Sequence, residues 1–402
     1  MPPKSYKVAV LTRRNPLDKR AWSGTMHYIY KSLKNNVGEV VLLGPYHPKL
    51  IVFAVKLYRK LIRIILRKNY NIAYSGWFIR ITGRHFTKKI IKTQPDVIVA
   101  VSSTPYTTHL KNISVPIILV DDINFAQLIG YYPNFSNLLQ SSLDKGQKIT
   151  NMAYNKAAAI VFSSEWSKYS TIQEYGIPQN KISVIPFGAN LDLIPDRQVA
   201  LNKKFNDECK LLFLGVDWYR KGGPIAFETL QILLRAGVKA TLTVCGTTPP
   251  AEFKNEKMKV IPFLNKNIPT DSEKLYRIFL ETHFLIVPTR ADCTPIVFCE
   301  ANAFGIPVLT TQTGGIASVI ETGVNGILHD LDDTGMEYAE TIKKYYMGHD
   351  AYRKLVENSR LRFENRLNWD SWGKSVYHII HALQSNPPQR PNFNKETIHS
   401  SL

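Results

Sequence analysis

The chain has 402 residues, 44% of them hydrophobic and 21% charged, which is enough for two cores of ordinary domain size. Its longest purely apolar run, Leu50 to Val55, is far shorter than the roughly 20 residues a membrane-spanning helix needs. A formal net charge of +19 calls for an anionic partner, and with neither a zinc-finger spacing nor basic and aromatic residues interleaved in an RNA-binding strand, nucleic acid is set aside in favour of phosphate-bearing substrates or anionic lipid.

The amino terminus, MPPKSYKVAVLTRR, enters a strand directly, without the apolar core and cleavage site of a signal peptide. Cys209, Cys245, Cys293 and Cys299 form no CxxC pair and have no histidine at zinc spacing, as expected of a reduced, cytoplasmic protein. In that compartment the sequons at Asn112 and Asn134 carry no meaning.

Short β-branched runs, KVAVLT, EVVLLG, DVIVAVSS, PIILV, AAIVFSS and ISVIPFG, alternate with helical patterns over the first half. That rhythm predicts parallel strands joined by crossover helices, an α/β doubly wound sheet. After the first run, Trp22, Ser23 and Gly24 precede the helical MHYIYKSL. Gly24 can let the backbone face a phosphate, or it can simply turn the chain while Ser23 caps the helix. No Asp or Glu occurs from Val40 to Pro95. There Lys56, Lys60, Arg63 and Arg67 recur at helical spacing, with Leu57, Leu61, Ile64 and Ile65 largely on another face. The segment 50–68 thus suits the surface of an anionic membrane, the alternative being a crossover helix packed on the sheet with a solvated basic face. Asp121 and Asp122 follow PIILV, at the carboxyl end of a strand.

The polar stretch Pro195 to Lys210 reads as a linker, after which KLLFLG, ATLTVCG, KVIPF, HFLIVP and IPVLTT restart the strand rhythm. In LLFLGVDWYRKGGPIAFETL, Arg220, Lys221, Gly222 and Gly223 precede a helix opened by Pro224, where cations reach a diphosphate at the helix entrance. Neither GxxxxGK[ST] nor GxGxxG is present. Further on, Asp292 and Glu300 lie eight positions apart, one in a loop and one in the first turns of a helix. Their carboxylates offer several acceptor sites to the paired hydroxyls of a sugar and a ribose. Between them the loop of Asp292, Cys293, Thr294 and Pro295 presents backbone N–H groups, from all but the proline, at a helix start, and Gly314 with Gly315 allows a second close approach. The plain alternative is a helix charge at Glu300 and turn-forming glycines. Asp330 and Asp332 superficially resemble a metal-holding triplet, but polar turn composition is the simpler account, so no metal is expected. The final NWDSWGKSVYHIIHAL has an amphipathic helical pattern, and a polar, proline-bearing tail follows.

FSSEWSKYSTIQEYGIPQNKISVIPFGANLD, RKGG, DCTPIVFCEANAFGIPVL and GGIASVIETGVNGIL, in that order, resemble the retaining GT-B glycosyltransferases of family four, the group that includes sucrose synthases and phosphatidylinositol mannosyltransferases. The resemblance implies two Rossmann-like domains facing across a cleft: an acceptor-side domain at 1–195, a nucleotide-sugar domain at 196–368, a helix at 369–385 crossing back to the first domain, and a tail at 386–402 expected to be disordered. It implies a nucleotide-sugar donor, a glycan or lipid-linked acceptor, retention of configuration and no cofactor. Lys221 falls on the diphosphate, Glu300 on the ribose and the DCTP backbone near sugar and phosphate. Catalytic candidates are Asp292, Glu300, Lys221 and Asp121. The chain departs from the family pattern at Val216, where many members have arginine and where Arg220 is the candidate replacement cation. Asp292 stands in place of the usual glutamate, and the histidine many members carry after PIILV is absent, leaving Asp121 or Asp122. These departures keep two other readings open at this stage, a catalytically degenerate scaffold that binds a membrane or partner and a sugar-nucleotide epimerase.

Overall fold

The computed structural model describes residues 4–46, 48–203 and 208–385; the tail at 386–402 and the centre of the polar linker at 204–207 lie outside them. Two six-stranded sheets form the molecule, and every strand pair in both is parallel. The first comprises β1 (Val8–Leu11), β2 (Val40–Leu42), β3 (Val97–Val101), β4 (Ile117–Asp121), β5 (Ala159–Phe162) and β6 (Ile182–Val184), in the order β2-β1-β3-β4-β5-β6. The second comprises β7 (Cys209–Leu214), β8 (Ala240–Cys245), β9 (Met258–Ile261), β10 (Phe284–Val287), β11 (Val308–Thr311) and β12 (Gly326–His329), in the order β12-β11-β10-β7-β8-β9. Helices cover both faces of such sheets, so central strands are apolar throughout rather than alternating. All five residues of β3 and all four of β10 are buried accordingly.

Strand order determines where ligands can bind. In each sheet it reverses beside the first strand, between β1 and β3 and between β7 and β10. Loops leaving the carboxyl ends of those neighbours diverge and open a crevice between them. The RKGG loop follows β7 and the DCTP loop follows β10, so two motifs 71 residues apart, measured from Lys221 to Asp292, meet at one crevice.

Two crossings join the domains. Asn190, fully buried, donates from Nδ2 to the Ser23 carbonyl (2.9 Å) and to Thr25 Oγ1 (3.1 Å), at the start of the helix Thr25–Asn36. Its Oδ1 accepts from the indole of Trp369 (3.0 Å), which opens the closing helix Trp369–Ser385. That closing helix buries Trp372, Val376 and Ile380 in the cluster that holds Met26, Ile29 and Leu33 of the first domain. Gly373 permits the approach, because a Cβ there would press on Ser32 and Asn36.

The acid-free segment forms the helix Lys49–Leu66. Val55 and Ile62, each 7% exposed, face inward together with the partly buried Ile51, whereas Leu57, Leu61, Ile64 and Ile65 are 46–71% exposed. Leu50 and Phe53 extend this bare apolar stripe at 86% and 70%. Among the described residues no helix is long and apolar enough to cross a membrane.

Candidate functional site

A cleft of about 880 Å³ lies between the domains, lined by loops from the carboxyl ends of both sheets. On its second-domain wall the RKGG loop turns through Gly222, whose φ of +78° and tight seat against the Pro288 carbonyl exclude a side chain. That turn aims Lys221 at the DCTP loop, where its ammonium pairs with the Asp292 carboxylate; both side chains are largely buried. Arg220 stands beside them. Its Nη1 donates to the Ala291 carbonyl at 2.8 Å and lies 3.7 Å from Asp292, while its guanidinium sits 5.8 Å from the Tyr132 ring centre.

Glu300 projects from the helix Ile296–Ala303 and is 2% exposed. A buried carboxylate needs a partner, and Lys266 supplies it from the loop after β9, also donating to the Asn190 carbonyl at 3.2 Å. The first N–H groups of a helix have no acceptor within it. Thr294, Pro295, Ile296 and Val297 line the cleft at that helix start. Two carboxylates and three cations therefore converge where an anion would meet unpaired backbone donors.

On the first-domain wall, Asp121 and Asp122 end β4 and line the cleft. Burial pushes the Asp121 carboxyl well above the usual range, a trend opposed by the hydroxyl of Thr104 that donates to it. Burial also pushes Asp122 up to about 6, with the charge of Asp292 acting in the same direction across the cleft.

Not every predicted position faces the cleft. Gly222 packs under Pro288, Gly314 against the Asp292 carbonyl and the Tyr131 hydroxyl, and Gly315 against Ser164 and Cys293. None of these three lines the cleft. Gly24, at φ +94°, lies between Ser23 and Thr25, which do line it. The DCTP backbone is less free than its sequence suggests. Asp292 N–H donates to the Tyr131 hydroxyl (2.9 Å), which in turn donates to the Asp292 carbonyl (2.8 Å). Thr294 Oγ1 shares a hydrogen bond with Ser163 (2.7 Å), and Tyr132 Oη lies 3.2 Å from Cys293 Sγ. Three of the four residues of this motif hold the domains together. Asp330 and Asp332 lie in the loop beyond β12, where the carbonyl of Leu331 accepts from Arg290, and neither lines the cleft.

Sequence reasoning missed Lys266, Asn190, Tyr131 and the arginines of the β1 loop. Lys266 had one usable signal, a lysine just beyond the carboxyl end of the KVIPF strand. Tyr131 had none, because its role depends on the other domain.

The family model described as Glycosyl transferases group 1 matches residues 208–347, and that described as Glycosyltransferase Family 4 matches residues 23–193. Among curated relatives, a D-inositol 3-phosphate glycosyltransferase of Xylanimonas cellulosilytica is 22% identical over 246 residues, 58% of this chain and 58% of its own. The chain spans about half to three fifths of the length of the curated relatives it matches. Among solved structures, sucrose-phosphate synthase from Thermosynechococcus elongatus superposes with a TM-score of 0.67 at 14% identity, covering 95% of this chain and 100% of that one. Anabaena HepE, solved in complex with UDP and glucose, gives 0.63 at 14% identity, covering 94% and 100%. These likenesses establish the GT-B fold.

The Asp122 carboxyl offers a test of the cleft's electrostatics. Its folded value of about 6 exceeds the ordinary 3.8, so the folded protein holds a proton there that the unfolded chain has already released. Stability contributed by this site is therefore lost as pH rises between those values and stays lost above them. Asp122→Asn cannot ionise, so it is expected to raise Tm relative to wild type at pH 8 and to leave it nearly unchanged at pH 4. Thermal denaturation at the two pH values checks this, and an equal shift at both would contradict it.

Proposed function

From a chain whose two halves match the Glycosyltransferase Family 4 and Glycosyl transferases group 1 models on a GT-B fold, we propose a glycosyltransferase that moves a sugar from a nucleotide-diphosphate-sugar donor to a glycan or lipid-linked acceptor with retention of configuration. The observation that carries this reading is the meeting of Lys221, Arg220 and Lys266 with Asp292 and Glu300 at the β7/β10 crevice. That HepE, a protein of similar fold, was solved with UDP and glucose supports a donor of this class.

In this reading the donor diphosphate lies across the entrance of the helix Gly223–Arg235 and takes Lys221 from Asp292. Asp292 then accepts from hydroxyls of the sugar. Glu300 accepts from the ribose diol, held in place by Lys266. As the glycosidic bond breaks, negative charge gathers on the leaving diphosphate, and Lys221, Arg220 and the first N–H groups of the helix Ile296–Ala303 stabilise it. An oxygen of that diphosphate, on the face the acceptor approaches, takes the proton of the attacking hydroxyl. Fixed protein cations do here what a divalent ion does elsewhere, so no metal is required. The persistence of these buried ion pairs argues against a degenerate scaffold.

Lys221→Ala is expected to fold, Glu300→Gln to fold with a lowered Tm because Lys266 loses its counter-ion, and each to lower donor turnover roughly a hundredfold, the usual effect of removing one preorganised electrostatic contact. Release of nucleoside diphosphate, measured with the nucleotide-sugar that most raises Tm, checks this. Near-normal rates in either variant would remove that residue from the donor site. Turnover is expected to survive EDTA, and restoration by Mg²⁺ or Mn²⁺ of an activity lost to chelation would contradict the cation-based mechanism.

We further propose that segment 50–68 rests on an anionic membrane surface. The bare stripe of Leu50, Phe53, Leu57, Leu61 and Ile64 lies beside Lys56, Arg59, Lys60 and Arg63 on the helix Lys49–Leu66, pairing an apolar edge with charges suited to lipid phosphates. The chain returns from this helix through Ala73 and Tyr74, which line the cleft. Salt-sensitive co-sedimentation with phosphatidylglycerol vesicles is expected, weakened when Arg59, Lys60, Arg63 and Arg67 become glutamine. Equal pelleting with neutral vesicles, or with none, would contradict it.

A further inference from the structure

The first sheet has its own crevice, where strand order reverses between β1 and β3. The loop after β1 brings Arg13 and Arg14 there, the loop after β3 brings Tyr106, and all three line the first-domain wall of the cleft. Arg13 is held rigidly. Its guanidinium carbon lies 4.9 Å from the Phe78 ring centre and 5.6 Å from that of Tyr106, and its Nη1 donates to the Tyr106 hydroxyl at 2.9 Å. Its Nε is buried and has no hydrogen-bond partner.

Other cations of this cleft have counter-ions: Lys221 has Asp292, Lys266 has Glu300, Lys19 has Asp192 and Arg20 has Asp18. Among the described residues no carboxylate pairs with Arg13 or Arg14. The nearby Asp121 does not serve, since it is buried, accepts from Thr104 and holds its proton well above the usual range. A half-buried guanidinium without a carboxylate partner is an unfavourable arrangement in isolation and a favourable one around an anion. The planar guanidinium fork fits the oxygens of a phosphate ester, and packing beside two rings with a hydrogen bond to one of them reduces the entropy that a free arginine would lose on binding it.

The geometry points to Arg13 and Arg14 as the site that receives a phosphate ester carried by the acceptor. This rests on the donor reading above, because a donor held by Lys221 and Glu300 leaves the first-domain wall to the second substrate. The recess beside Arg13, walled by Tyr74, Phe125 and Tyr154, then holds the remainder of the acceptor head near Asp121 and Asp122. The acceptor in question is a phosphoester, either a free sugar or polyol phosphate or a phospholipid headgroup.

The test is calorimetric titration of inorganic phosphate into protein saturated with UDP. Phosphate is expected to bind wild type and to bind Arg13→Gln/Arg14→Gln at least about tenfold more weakly, the loss of two charge-assisted contacts, while UDP affinity changes less than about twofold. Unchanged UDP affinity reports that the variant is folded, and Arg14→Gln alone, at an exposed position, provides a milder second variant expected to show part of the loss. Phosphate binding that disappears when UDP is present, or that is equal in wild type and the double variant, would overturn the proposal. If UDP itself fails to bind wild type, the donor reading falls. Titration of nucleotide-free Arg13→Gln/Arg14→Gln and Lys221→Ala then decides the anion site, which stands only if the arginine pair carries the loss. Displacement of bound phosphate by glycerol phosphate assigns a free phosphoester, displacement only by phosphatidylinositol vesicles assigns a headgroup, and displacement by neither overturns the assignment to an ester.

Discussion

The ion pair between Lys266 and Glu300 holds the cleft in register. A carboxylate 2% exposed requires a compensating charge, and leaving one partner of such a pair alone is strongly destabilising. Here the ammonium that provides compensation also donates to the Asn190 carbonyl, and the Asn190 side chain reaches Ser23, Thr25 and Trp369. One connected set of polar contacts thus runs from the Glu300 helix of the second domain, through the segment joining the domains, to the first helix of the first domain and to the closing helix. Tyr131 makes a second tie at the opposite edge of the DCTP loop. The loops proposed to hold the donor are the same loops that set the spacing of the two walls.

Charge is distributed by role. Most of the +19 excess lies outside the cleft, much of it in the acid-free segment whose helix carries a bare apolar stripe. Within the cleft the second-domain cations are already paired with carboxylates, whereas Arg13 and Arg14 are not. Paired cations keep a site soluble and organised until a more strongly charged ligand displaces the internal carboxylate. Unpaired ones can take an anion without first displacing a carboxylate. The two walls are therefore suited to different anions, a diphosphate on one side and a phosphate ester on the other.

The strands were legible because buried parallel strands leave an unambiguous trace: DVIVAVSS became β3, PIILV became β4 and HFLIVP became β10, and their alternation with helices specified the doubly wound class. Strand order was not legible, and much of the site depends on it. Lys221 and Asp292 could be named from their motifs, but that they touch follows only from the adjacency of β7 and β10. Lys266 and Arg13 sit in loops without a motif, and their importance comes from what the sheet order places beside them. Gly222 and Gly314 were singled out for the room they leave to a ligand, yet the close approach each permits is to Pro288 or to Asp292 and Tyr131, not to the cleft. In the helix Lys49–Leu66 periodicity separated apolar from basic residues, but it could not say which apolar residues, Ile51, Val55 and Ile62, face inward.

Most decisive would be a crystal structure of the complex with UDP. Lys221 Nζ should have left Asp292 for a diphosphate oxygen, and Glu300 should accept from the ribose hydroxyls while keeping Lys266. Nucleotide bound elsewhere, with Lys221 and Asp292 still paired, would contradict the donor site placed at the β7/β10 crevice.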